Sequence, residues 1–375
     1  RRLTQTKQPP ENSGRFKAFL PDIARSLNNL GIQCSDLGRR EEALRFTEES
    51  LAIYRMLAHD RPDAFMPDLA RSLSNLANQC SALGRREDAL RFTEEAHAIY
   101  RMLAHDRPDA FMPDLARSLS NLANQCSALG RREDALRFTE ESLAIYRMLA
   151  HDRPDAFLPD LASSLNNLGV RLSNLGRQED ALRFTEESLA IYRMLAHDRP
   201  DAFLPDLASG LNNLGVRLSN LGRREDALRF TEESLAIYRM LAHDRPDAFL
   251  PDLASSLNNL GVRLSDLGRR EDALEASQDA VDIYRALAKD RPDAFLPDLA
   301  SSLGAMSQTL AAAGRHDEAA DAAREGLAVI APFAEAQPKA FGDLAHALAR
   351  SQLEHSMNAG REPDAALLER IARAL

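Results

Sequence analysis

A residue pattern that returns every 46 positions constrains this chain more than anything else in it. Phe19, Phe65, Phe111, Phe157, Phe203, Phe249, Phe295 and Phe341 keep that spacing without a slip. So do Gly38, Gly84, Gly130, Gly176, Gly222, Gly268, Gly314 and Gly360. A register kept over eight copies signals a linear array, because each unit is too small to bury its own apolar face and must stack on its neighbours. A length of 375 residues would otherwise suggest two or three domains. Copies two and three are the same from Met66 to Glu95 and from Met112 to Glu141, which points to recent duplication.

Within a copy the apolar spacing is helical. Leu161, Leu165, Leu168, Leu172 and Leu175 recur three and four apart and share one helix face. The spacing predicts a first helix starting at Pro21, Pro67, Pro113, Pro159, Pro205, Pro251 and Pro297, where the missing N–H costs nothing. The Asp after each Pro faces the positive end of the helix dipole. The helix stops at the periodic Gly, which adopts the left-handed conformation readily. A second helix follows from about Arg177, carries Ala181, Leu182, Phe184, Ser188, Leu189, Ile191, Tyr192 and Leu195, and breaks at Asp198-Arg199-Pro200. Short loops make the two helices antiparallel. Gly31, Gly169, Gly215 and Gly261 lie on the Leu face, with Ala77 and Ala123 in the same slot, so close helix approach demands a small residue there.

The expected organisation is a lead-in over residues 1–18, seven hairpins over 19–336, and a degenerate eighth copy with a cap over 337–375. Lys7 to Gly14 is polar and contains Pro9 and Pro10, as a linker does. In the last copy Asp343 replaces the starting Pro, and Gln352 and Ser356 stand where Leu168 and Leu172 stand in copy four. Terminal repeats need a polar outer face. The chain opens Arg1-Arg2 without Met, as a piece of a longer chain would.

Charge and composition exclude several classes. A net charge of −10 argues against a nucleic-acid surface, which needs a basic patch or stripe. No apolar run approaches the roughly 20 residues of a membrane span, and no signal segment opens the chain. Lys occurs only at Lys7, Lys17, Lys289 and Lys339; with abundant Ala and Arg, this fits a GC-rich bacterial coding bias. Cys34, Cys80 and Cys126 occupy one slot in successive copies. Packed helices lie about 8–10 Å apart, whereas a disulfide needs Cα atoms within about 7 Å. Buried apolar thiols in a reducing, cytoplasmic setting are expected.

Leu165, Leu168-Gly169, Leu172, Gly176 and Ala181 at these spacings resemble the tetratricopeptide repeat, whose standard unit has about 34 residues. The block Pro159-Asp-Leu-Ala-Ser-Ser-Leu-Asn-Asn-Leu-Gly169 is similar to the long repeats of kinesin light chain and related bacterial proteins. Leu165 stands where the family has a large aromatic, and Thr185 where it favours another. The resemblance implies an all-α solenoid of antiparallel hairpins in a right-handed superhelix. It also implies that the face opposite the Leu stripe lines an inner groove for extended peptides.

Carried onto this chain, that groove holds Asn29, Asn75, Asn121, Asn167, Asn213 and Asn259, preceded in four copies by Asn28, Asn166, Asn212 and Asn258. A primary amide donates and accepts, so such a ladder can satisfy the backbone of an extended chain whatever its side chains. The alternative is that these amides bridge neighbouring helices, and the two readings are compatible. Gly304-Ala305 ends the ladder in copy seven. Arg25, Arg71 and Arg117 make a cationic stripe in copies one to three, replaced later by Ser163, Ser209, Ser255 and Ser301. Asn78 and Asn124 stand where later copies have Val170, Val216 and Val262. An acidic or C-terminal segment is therefore expected over the first copies and an apolar one over the later copies. The competing reading pairs each Arg with an Asp or Glu of the next repeat.

His59, His105, His151, His197 and His243 form another ladder, but residues one repeat apart cannot converge on one ion at about 2–2.5 Å. A cation suits a helix C-terminus, and Lys289 takes the slot in copy six. No phosphate-cradling loop or nucleophile elbow is present. The reading is a scaffold without catalysis, cofactor or metal that holds a protein or peptide segment. The alternatives are a sensing or regulatory arm of a larger bacterial signalling or defence protein, and a self-assembling homo-oligomeric repeat.

Overall fold

In the computed structural model, which describes residues 12–374, the chain is a succession of helices. In order they are α1 (Asn12–Asp36), α2 (Arg40–Asp60), α3 (Pro62–Ala82), α4 (Arg86–Asp106), α5 (Pro108–Ala128), α6 (Arg132–Asp152), α7 (Pro154–Asn174) and α8 (Gln178–Asp198). Then follow α9 (Pro200–Asn220), α10 (Arg224–Asp244), α11 (Pro246–Asp266), α12 (Arg270–Asp290), α13 (Pro292–Ala312), α14 (His316–Ala336), α15 (Pro338–Asn358) and α16 (Ala365–Ala374). Odd and even helices pair as hairpins. The chain forms two compact units, one up to Tyr146 and one from Arg147.

The first helix of each hairpin starts earlier than its spacing suggests. It begins at Pro62, Pro108, Pro154, Pro200, Pro246 and Pro292, and Pro67 and its equivalents lie inside it. Pro62 takes the first helical position, where no N–H is needed. The Arg61 carbonyl accepts the N–H groups of Ala64 and Phe65 at 3.2 Å. Pro67 withholds the N–H that the Asp63 carbonyl would otherwise receive, but Asp63 is exposed, so water can serve that carbonyl. The preceding Arg stacks over the Phe of the first turn, as Arg107 does 4.8 Å from the centre of Phe111. The Arg-Pro-Asp-Ala-Phe junction is thus a one-residue link and a helix start, not a break. In copy one the helix runs from Asn12, through part of the expected lead-in, and Pro21 is internal to it. Lys7 to Glu11 fall outside the described residues.

At the other end Gly84 and Gly176 have φ of 72° and 79°, the left-handed region that reverses the chain. The Arg85 N–H reaches back to the Cys80 carbonyl at 2.8 Å and closes the end of α3.

Hairpins are zipped by close approach. A Cβ on Gly169 would lie 2.5 Å from Thr185 Oγ1, and one on Gly31 would lie 2.4 Å from Thr47 Oγ1. Thr185 is buried and donates to the Ala181 carbonyl at 2.9 Å, so a small hydroxyl replaces the family's aromatic where the helices nearly touch. Ser188 Oγ donates to the Ala162 carbonyl of the facing helix at 2.6 Å, and Ser234 does the same to Ala208 at 2.7 Å. Leu165, Leu168 and Leu172 are buried as the stripe requires. Cys34, Cys80 and Cys126 are free and buried, and burial pushes the Cys80 and Cys126 thiols up.

At the C-terminal end α16 lays Ile371 into a cluster with Leu327, Ile330, Ala331 and Leu348. Gln352 and Ser356 do not form a polar outer face; both are buried. The large apolar residues exposed on α15, among the described ones, are Leu353 and Met357. In an array, polarity by itself does not assign a side: Gln352 keeps the inward position of the Leu it replaces.

Candidate functional site

Neighbouring repeats pack chiefly through the second helix of one against the first helix of the next, as α8 does against α9, and their first helices also touch. Within the second unit α7 lies against α9, α9 against α11, α11 against α13 and α13 against α15, and in the first unit α1 lies against α3. Second helices are instead spanned by long side chains, such as Arg193 to Glu233 at 3.0 Å and Arg285 to Glu325 at 2.8 Å. The narrower lines where successive first helices touch are seams bridged by side chains.

The amides lie in these seams. Asn213 Nδ2 donates to Asn166 Oδ1 of the preceding repeat at 3.1 Å. Ser256 Oγ donates to Asn212 Oδ1 at 3.4 Å, and Ser302 Oγ to Asn258 Oδ1 at 3.0 Å. Asn75, Asn121, Asn166, Asn167, Asn212, Asn213, Asn258 and Asn259 are all half-buried. Asn29 is exposed, and Asn28 is buried with no partner for its Oδ1. Bridging between repeats is thus real for Asn166, Asn212, Asn213 and Asn258. The serine rungs were not legible beforehand, because Ser256 and Ser302 sit among other serines of the same helix.

The arginine stripe pairs within its own helices. Arg25, Arg71 and Arg117 are exposed, and each pairs with the Asp one turn earlier in its own helix, not with the next repeat. Arg25 lies 3.3 Å from Asp22, while Arg71 contacts Asp68 and Arg117 contacts Asp114. Asn78 and Asn124 are exposed, and Val170, Val216 and Val262 are half-buried.

A second set of cations went unread in the sequence. Arg171, Arg217 and Arg263 occupy the slot held by Gln33, Gln79 and Gln125 in copies one to three. Arg217 and Arg263 are only 6% and 9% exposed. Arg217 Nη1 donates to Ser173 Oγ of α7 at 3.0 Å, and Arg263 Nη1 lies 3.6 Å from Asp266. The Nε of each has no partner. Burial lowers the pKa of both, and for Arg263 the nearby Asp266 opposes the shift. Both stay protonated at neutral pH, since arginine starts above about 12. The one available signal was the 46-residue exchange of a neutral amide for a cation.

The phenol row is also buried. Tyr284 donates to the Pro251 carbonyl at 3.0 Å, and burial, followed by Asp114, pushes Tyr100 up to about 12. Among the described residues no group of three or more His, Cys, Asp or Glu is placed to hold a metal ion, and no helix is long and apolar enough to cross a membrane.

Three tetratricopeptide repeat family models match the chain, one over residues 68–148 and 114–194, one over 23–63, 207–247 and 253–293, and one over 300–325. No curated protein sequence matches it. Among solved structures, BtubC (BKLC) from P. vanneervenii is 24% identical, with a TM-score of 0.53 over 66% of this chain and 92% of that one. Aspartyl phosphate phosphatase F from Bacillus subtilis is 14% identical, with a TM-score of 0.60 over 86% and 76%. A STAND protein with a tetratricopeptide repeat sensor from Pyrococcus horikoshii is 17% identical, with a TM-score of 0.51 over 99% and 53%. At these identities the likeness is one of fold, and it agrees with the repeat geometry, the left-handed glycines and the matched segments: the chain belongs to the tetratricopeptide repeat family.

Proposed function

We propose that the chain is a non-enzymatic scaffold that takes an extended peptide or protein segment along the seams of its first helices. The observation that carries this reading is the Asn213–Asn166 bridge. It orients one amide from its neighbour, yet a primary amide has two N–H donors and a carbonyl, so the bond leaves capacity for a ligand backbone. Val170, Val216 and Val262 would supply apolar contact beside it.

Changing Asn121, Asn167 and Asn213 together to Ala tests the site. Binding of a segment found by cross-linking and peptide mapping should fall at least about tenfold, with the helical circular dichroism unchanged. Unaltered affinity would remove the seam as the docking surface.

A second reading, self-association, draws on exposed apolar residues at both ends: Phe19, Leu30 and Leu37 on one side, Leu353 and Met357 on the other. Light scattering at two concentrations separates it from a monomeric scaffold. A third reading, a sensing arm of a larger signalling protein, draws on the Pyrococcus horikoshii STAND protein, whose tetratricopeptide repeats are a sensor; such an arm would use the same seams.

A further inference from the structure

Five methionines stand in the open on successive second helices. Met56, Met102, Met148, Met194 and Met240 share one slot of the repeat, and each is about half exposed. A singly exposed Met is ordinary, but five in one slot form a row. Each is followed three residues later by a histidine, in the series Met-Leu-Ala-His, and those five histidines are exposed as well. Residues three apart on a helix are neighbours, with Cβ atoms about 5–6 Å apart. The distance that bars histidines of different repeats from sharing an ion therefore does not apply within one helix. Both side chains also leave the array together. Ala286 and Lys289 hold the two slots in copy six, and Pro332 and Glu335 hold them in copy seven.

At the junction of α4 and α5 a third ligand of the same kind joins the pair. A cleft of about 540 Å³ is lined by Met102, His105 and Met112, beside Arg101 and Leu115. Met112 belongs to α5 and is half-buried, while Met102 and His105 stand at the open side. Among the described residues no carboxylate lines the cleft. Thioethers are soft donors that suit Cu(I), and imidazole suits copper too. Hard divalent ions would lack the oxygens they require. Met102 and His105 fall within the last five residues of α4, where the helix dipole favours a cation. The Arg101 guanidinium repels an added cation, a penalty half as large for a monovalent ion as for a divalent one.

We propose that Met102, His105 and Met112 form a binding site for a soft, closed-shell monovalent cation, Cu(I), and that Met56, His59 and Met66 repeat it one copy earlier. In the next three copies Leu158, Leu204 and Leu250 replace the second methionine, leaving weaker two-donor sites. The site stands independently of the peptide-binding reading.

Ag(I) is the first probe, because it matches Cu(I) in charge and closed shell and is stable in air. The full chain with Cys34→Leu, Cys80→Leu and Cys126→Leu removes competing thiols and copies Leu172 of copy four. Methionine methyl resonances are followed by NMR as silver nitrate is added without chloride at about pH 7.5, where ordinary imidazoles are neutral. The Met102 and Met112 methyls should shift together and saturate at Ag(I) concentrations at least about tenfold lower than Met357. Met357 is more exposed than any Met of the row but has Glu354 and Gly360 three residues away. His105→Lys copies copy six and Met112→Leu copies copy four; each should weaken the Met102 response at least about tenfold, since even outer-shell losses cost that much. Zn(II) should move neither methyl. Cu(I), supplied anaerobically with ascorbate, should reproduce the Ag(I) shifts. Should the cysteine variant lose its helical circular dichroism, the order of saturation, Met102 before Met357, is read in the unsubstituted chain, whatever its buried thiols take up.

A Met102 response no tighter than that of Met357 overturns the site. So does an equal response to Zn(II), the lack of any response to Cu(I), or an affinity untouched by His105→Lys or Met112→Leu.

Discussion

Arg193 and Glu233 face each other from successive second helices, with Nη2 3.0 Å from Oε1. The same pairing joins Arg55 to Glu95, Arg147 to Glu187 and Arg285 to Glu325. At the next equivalent place Asp279 stands where a Glu would, one methylene shorter, and Arg239 has no ion pair among the described residues. Ala286 there replaces a Met. A cleft of about 400 Å³ opens, lined by Arg239, Asp279, Asp282, Leu250, Leu253 and Ile283.

Asp279→Glu should close that latch. These partners are exposed, so the expected gain is small, about 0.2–1 kcal/mol, and weaker at high salt. Urea denaturation at two ionic strengths checks it. A destabilised variant, or a gain insensitive to salt, contradicts the latch.

Gly169 separates the need for a small residue from a need for glycine itself. Ala77 and Ala123 fill its slot beside Thr93 and Thr139, which still donate to Ala89 and Ala135 at 2.8 Å. Gly169→Ala should therefore be tolerated within about 1 kcal/mol, helped by helix propensity. Gly169→Val should cost about 1–3 kcal/mol by overpacking against Thr185. Equal denaturation midpoints for the two variants would refute close approach as the constraint.

Asn213→Ala removes one bond of 3.1 Å to Asn166. A stability loss of about 0.5–1.5 kcal/mol is expected, read from the same denaturation curve. A much larger loss would mean that the amide row is chiefly structural.

His355 links the C-terminal end to pH. Burial, and then the nearby His316, holds its imidazole below the ordinary value of about 6.5, although Glu354 opposes the shift. The ring centres of His355 and His316 are 5.9 Å apart. In the unfolded chain His355 takes up its proton near the ordinary value; in the folded chain it does so only at lower pH. Just below about 6.5 the unfolded state therefore binds more protons, and stability falls as pH falls through that window. His355→Thr, which copies Thr309 of the preceding repeat, should lose less protection on acidification. Hydrogen exchange in α15 and α16 at about pH 7 and pH 5.5 measures this. Parallel losses in both proteins would exclude His355 as the cause.

The period, the two helices per repeat, the left-handed turn glycines and the small residue at Gly169 were legible in the sequence. Each is a local demand, of backbone conformation or helix-face spacing, repeated too often to miss. Helix starts were misplaced because Pro62 and Pro67 both suit a first turn, and only the bonds of Ala64 and Phe65 to Arg61 choose between them. Which cations carry free charge was not legible at all. Arg71 is satisfied three residues away, while the surroundings of Arg217 are set by α7, 44 residues back along the chain. Burial and pairing are properties of what a neighbouring repeat places opposite a side chain. The residues of one repeat thus determined that it would be a hairpin; only the stacking of repeats decided that Gln352 turns inward and that Arg217 lies buried without an anion.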